Sequence, residues 1–297
     1  MKTILFMLAM SICATMTAAE SETTAGRMIS LRNKFIALKV PFEKNQFKRP
    51  LVLESQEASG KLTGDIYAVV DYPLKKVSAE LNNADHWCDV LLLHLNTKYC
   101  RATTSANEST IVVGVGKKTQ EELTRIAHID FIYSAVASTP EYFQIKLRAV
   151  KGPMGTSDYL ILLEGLDIAN GKTFLHLTYA YSINFGARLA MFTYLKTKAS
   201  DKVGFTITGK DARGQVSYVD GVRGLIERNT MRYHLAIDSY LAAATAVPTA
   251  PATAQLEYRL NKWFTATEQY PEQLHEMNKE EYLTMKRAEN ARQQSLR

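Results

Sequence analysis

The sequence Leu175-His176-Leu177 holds the best-placed candidate for acid–base chemistry in this chain of 297 residues. An imidazole with an ordinary pKa near 6.5 can gain or lose a proton close to neutral pH. On a strand, His176 points away from its two leucine neighbours. Turned into a pocket, it would orient a ligand or act as a general base. Turned outward, it is a hydrogen-bonded surface histidine, the reading favoured where no partner is evident. Arg188 and Arg148 can pair with Glu164 or Asp158, as internal ion pairs or as ligand anchors, because buried charges need partners. His86, Cys88, Asp89, His94 and Cys100 are all residue types that zinc accepts, but their spacing fits no standard site, so no metal is expected. Gly114-Val115-Gly116 lacks the third glycine and following helix of a dinucleotide turn. There is neither a Gly-x-Ser-x-Gly elbow nor a His-Glu-x-x-His pair, and no cofactor is implied.

A second set of residues suits binding better than catalysis. Leu175, Leu177, Tyr179 and Tyr181 alternate along one strand face, opposite His176, Thr178 and Ser182. Val222, Leu225, Ile226, Asn229, Tyr233, Ala236, Ile237, Tyr240 and Leu241 fall three or four apart, as on one side of a helix, while Glu227, Arg228, Arg232 and Asp238 lie largely off that stripe. Tyrosine joins a large apolar area to a hydroxyl that wants a partner, which suits a pocket for an amphipathic molecule. The candidate ligand residues are Leu177, Tyr179, Tyr181, Tyr233, Ile237 and Tyr240, with His176 and Arg188 as polar contacts. The same stripes also describe an ordinary filled core.

The elements that position these residues are strands followed by one long helix. Thr63 to Asp71 reads as a strand, and Pro73 can open a helix because its missing N–H costs nothing in the first turn. Strands are expected at 98–104, 109–115, 129–137, 141–150, 158–166, 172–183 and 202–208, with a short helical interruption at 187–198. The long helix runs from about Val219 to Ala244, with Asp220-Gly221 as its start signal. Consecutive strands favour antiparallel pairing, so the fold class is α+β. Residues 1–19 form an export signal, with Lys2, an apolar run too short to span a bilayer, and Thr17-Ala18-Ala19 at the cleavage point. Residues 20–50 are a lightly ordered lead-in, 51–245 the main domain, 246–254 a linker and 255–297 a helical tail.

Export places Cys88 and Cys100 in an oxidising compartment. There they form either a bridge worth about 3 kcal/mol or two buried thiols. The formal charge of +6 is spread over the chain without a dense basic tract, so no nucleic-acid partner is expected.

The segment Thr63-Gly64-Asp65-Ile66-Tyr67-Ala68-Val69-Val70-Asp71-Tyr72-Pro73-Leu74-Lys75-Lys76-Val77 resembles the opening of many helix-grip proteins. That superfamily includes START lipid-transfer domains, the birch-pollen allergen family and aromatic polyketide cyclases. The order of elements over about 60–244 is similar too, and His86-Trp87-Cys88-Asp89-Val90-Leu91-Leu92-Leu93-His94-Leu95-Asn96 resembles exported bacterial proteins of this kind. The resemblance implies a curved antiparallel sheet gripping the long helix around a cavity for lipids, isoprenoids or aromatic compounds, in a protein of the bacterial periplasm. It brings no catalytic signature. Three functions follow as expectations: a carrier of a hydrophobic small molecule, with transient membrane-surface contact; a cyclase or isomerase using His176 or Glu164; or an adaptor whose tail binds a protein partner.

Overall fold

In the computed structural model, residues 23–106, 108–186, 188–189, 202–210 and 212–295 are described. The expected export signal, and most of the helical interruption at 187–198, lie outside them. The chain opens with helices α1 (Thr24–Ala37) and α2 (Lys39–Glu43), then a hairpin of β1 (Leu51–Ala58) and β2 (Lys61–Val70). Helices α3 (Leu74–Leu81) and α4 (Ala84–Leu91) follow, the first capped by Pro73. A meander then runs through β3 (Thr97–Thr104), β4 (Ser109–Val115), β5 (Ala127–Ser138), β6 (Tyr142–Lys151), β7 (Thr156–Ile168) and β8 (Lys172–Ile183). After a small ribbon of β9 (Ile207–Lys210) and β10 (Val216–Tyr218) come the long helix α5 (Gly221–Ala246), then α6 (Ala252–Thr267), α7 (Pro271–Leu274) and α8 (Lys279–Ser295).

The fold is α+β, as expected. Eight antiparallel strands form one sheet in the order β1-β2-β8-β7-β6-β5-β4-β3, and α5 packs against β1, β2 and β8. Strand alternation sends Leu62, Ile66, Leu163, Leu175 and Leu177 to the helix side, where they meet Ile226, Ile237 and Leu241 in the main core. Gly64 lets helix and sheet touch, since a Cβ there would collide with the Thr230 hydroxyl. Cys88 and Cys100 are disulfide-bonded, tying α4 to β3 and removing both sulfurs from any metal set.

Several regions differ from the sequence reading; the strand expected at 202–208 begins only at Ile207, and β1 was not foreseen. The lead-in is helical, because Leu31, Phe35 and Leu38 make an apolar stripe that covers Tyr142, Leu166 and Phe174 on the outer face of the sheet. The Phe35 and Phe42 rings lie 5.0 and 6.0 Å from that of Phe174.

The helical tail is built into the main core. Trp263 stacks on Tyr282 at 5.0 Å, and the Tyr282 hydroxyl donates to the Leu93 carbonyl at 3.0 Å. Lys98 and Lys286 both donate to Glu289 at 2.8 Å, and all three side chains are buried.

The polar flank of α5 is buried as well. Glu227 accepts hydrogen bonds from Ser55, Thr206 and the Phe205 backbone, and Arg232 pairs with Glu276 at 2.7 Å. A helix covered on both sides can keep charged residues only if each has a partner.

Candidate ligand site

Four tyrosines converge on the helix side of the sheet. Tyr179 and Tyr181 stand two residues apart on β8, and Tyr233 comes down from α5 with its ring 5.0 Å from that of Tyr179. The fourth, Tyr159, owes its place to a β-bulge. Ser157 pairs with Ser182 and Leu160 with Ala180, so Asp158 and Tyr159 together oppose Tyr181. Asp158 absorbs the extra residue at φ 54°. The bulge moves the rest of β7 by one face, as bulges do, and stacks Tyr159 on Tyr181 at 5.3 Å and 16°. Sequence reasoning missed Tyr159. The alternation Tyr159, Ile161, Leu163 contained the signal, once Ile161 is set opposite Tyr179.

Burial pushes the hydroxyls of all four tyrosines up, so each stays a neutral donor and acceptor through the physiological range. The Tyr159 hydroxyl donates to Thr156 at 2.9 Å. Along α5, Val222, Leu225, Asn229 and Tyr233 are one stripe that is only partly buried, although Ile226, Thr230 and Ile237 beside it are fully buried. Tyr159, Tyr179 and Tyr181 are themselves buried in the main core, next to this partly exposed stripe of α5.

The other expected site residues are placed elsewhere. Leu177 and Ile237 are fully buried core. Tyr240 lies two turns further along α5, its hydroxyl 3.3 Å from Glu80 and its ring 5.6 Å from His86. Arg188 is half exposed and pairs with Glu57 at 2.6 Å. His176 faces the opposite side of the sheet, because alternation that sends Leu177 and Tyr179 inward must send it out.

There His176 is locked. Its Nδ1 lies 2.9 Å from Glu164 and its Nε2 2.9 Å from Asp65, while Tyr67 stacks on the ring at 4.3 Å. Burial pulls its pKa down, but the hydrogen bonds to Asp65 and Glu164 outweigh burial and lift it to about 9. For Glu164, burial raises the pKa, yet hydrogen bonds from His176 and Tyr142 leave it below the usual carboxylate value. A recess of about 160 Å³ beside this group is lined by Arg27, Lys34, Tyr67, Glu164 and His176. An imidazolium held between two carboxylates has no free lone pair, so His176 is not a base at neutral pH.

No family model matches the chain, and no curated protein does either. Solved structures similar to it include the Zhui aromatase/cyclase from Streptomyces sp. R1128, at 8% identity and TM-score 0.39, covering 64% of this chain and 99% of that one. Human StAR-related lipid transfer protein 5 matches at 7% identity and TM-score 0.28, over 54% and 82% of the two chains. Truncated norcoclaurine synthase from Thalictrum flavum matches at 8% and 0.32, over 49% and 91%. The chain's own strand order and long closing helix define an eight-stranded antiparallel sheet closed by one long helix. Among the described residues, no helix is long and apolar enough to cross a membrane.

Proposed function

We propose that this is an exported protein of the bacterial periplasm that holds a hydrophobic small molecule between its sheet and its long helix. The observation that carries this reading is the group Tyr159, Tyr179, Tyr181 and Tyr233 beside the partly exposed stripe of α5. Such a surface gives apolar contact at about 25 cal/mol per Å² buried, with neutral hydroxyls to orient the ligand. The Cys88–Cys100 bridge supports an oxidising compartment. Ligand exchange through brief contact with a membrane surface belongs to the same reading. The cyclase or isomerase alternative is weakened by the placement and charge of His176. The adaptor alternative is weakened because Trp263, Tyr282, Leu283 and Met285 of the tail are spent in the core.

Native mass spectrometry of the exported protein, followed by solvent extraction, tests the reading. We expect a discrete extra mass that is reduced in Tyr179→Leu and Tyr233→Leu and kept in Tyr240→Leu. A protein that stays unliganded after incubation with mixed envelope lipids would overturn it.

A further inference from the structure

Helices α1 and α2 are apolar on two opposite sides. Leu31, Phe35, Leu38 and Phe42 form the row that covers the outer face of the sheet, and it runs on from α1 into α2. Ile29, Asn33, Ile36 and Val40 repeat the same intervals, each two residues earlier. Two residues turn a helix by about 200°, so this second row faces away from the sheet. It is uncovered: Ile29 is 57% exposed, Ile36 56% and Val40 66%. Single surface aliphatics are ordinary, but these three line up over about three helical turns and form a ridge.

The polar residues beside the ridge are mostly cations. Arg32 follows Ile29 by three positions, Lys39 follows Ile36 by three, and Lys44 follows Val40 by four. Residues three or four apart are neighbours on a helix surface, and all three of these cations are exposed. Glu43 is the one carboxylate in α1 and α2. With Glu20 and Glu22 counted too, residues 20–50 hold seven lysines and arginines against three acids. Carboxylates elsewhere in the fold answer part of this charge. Glu141 lies 3.7 Å from Arg32, Glu54 2.8 Å from Lys34 and Asp238 3.7 Å from Arg49. Lys39, Lys44 and Lys48 have no ion-pair partner among the described residues.

An aliphatic ridge rimmed by lysine and arginine suits a lipid interface, with the apolar side chains among acyl chains and the cations at acidic headgroups. A second copy of this chain suits it less, because a two-fold contact would bring two such cationic rims together.

We infer that α1 and α2 form a docking surface for an anionic lipid membrane, with Ile29, Ile36 and Val40 in the interface and Arg32, Lys39 and Lys44 on the headgroups. The surface lies on the outer side of the sheet, opposite the tyrosine group, so the inference does not rest on a ligand being held there. It goes beyond the reading proposed above by naming where the molecule meets a membrane and which lipids it selects.

Vesicle flotation of the exported protein tests it, with vesicles of phosphatidylcholine alone and of phosphatidylcholine containing one-third phosphatidylglycerol. Each cation near an anionic surface strengthens binding by about five-fold, so the mixed vesicles should bind at least about ten-fold more tightly at low salt, and high salt should release the protein. Ile36→Ser and the double variant Lys39→Glu/Lys44→Glu should each weaken that binding by about five-fold or more. Lys262→Glu/Lys279→Glu makes the same charge change on α6 and α8, and should keep it. Equal binding to both kinds of vesicle would overturn the assignment to anionic lipid. Equal losses in the two double variants would show net charge alone at work and overturn the assignment to this face. Binding to neither vesicle would overturn the docking surface itself. If Ile36→Ser fails to fold, Val40→Ser gives the same reading on the next turn. Ligand capture at the tyrosines is read separately, by extraction and mass, and stands or falls apart from these outcomes.

Discussion

Replacing His176 by glutamine should erase a pH-dependent share of the protein's stability. The side chain is 14% exposed and bonded to two carboxylates, and its folded pKa of about 9 stands above the 6.5 of a free imidazole. Between those values the folded chain binds more protons than the unfolded one, so stability falls as pH rises. The contribution is complete below pH 6.5 and lost on passing through about 9. A gap of about 2.5 pH units at about 1.4 kcal/mol each gives roughly 3 kcal/mol. Lys286 acts in the opposite direction. Burial lowers it from 10.5 to about 8, so through that window the unfolded chain binds more protons and stability rises with pH. The wild-type curve alone therefore mixes two opposing effects, and the difference between wild type and His176→Gln isolates one. Urea unfolding at pH 6 and pH 10 should give a difference of about 3 kcal/mol at the lower pH that shrinks toward zero at the higher. A difference that stays constant across the range would refute the view that an imidazolium holds Asp65 and Glu164 together.

Two further outcomes follow from the packing. Glu289→Gln leaves Lys98 and Lys286 buried without an anion, and should cost about 3–5 kcal/mol in denaturant unfolding; a loss under about 1 kcal/mol would mean the tail helix is held by apolar contacts alone. Gly64→Ala drives a methyl group into Thr230, and should cost about 1–3 kcal/mol, with Gly64→Ala/Thr230→Ala recovering most of it; no recovery in the double variant would place the strain elsewhere.

Much of the architecture was legible from local pattern. Period-two alternation in Lys172–Ile183 and three-to-four spacing in Gly221–Ala246 are properties of each element by itself. The sharing of one face by Leu175, Leu177, Tyr179 and Tyr181 was equally plain, and it already implied that His176 faced the other way. What alternation leaves open is which face is inside, because that depends on what covers the sheet. Here α5 covers one face and α1 the other, and the stripe Leu31, Phe35, Leu38 acquires its meaning only from Phe174 across the gap.

The candidate site was legible only in part. Tyr179 and Tyr233 were visible as residues of the right type on the right stripes. Tyr159 was not, because a one-residue bulge decides which face it joins, and a bulge is set by pairing with the neighbouring strand. Arg232 lay off the apolar stripe, and in sequence nothing distinguishes a helix flank open to water from one covered by Glu276 some forty residues later. By itself, then, the sequence determined most strands of the meander, the long helix, their order, the α+β class and which residues share a face, all of which arise from interactions a few residues apart. Only the tertiary structure decided which charges are buried together, because burial and pairing are properties of segments far apart in the chain.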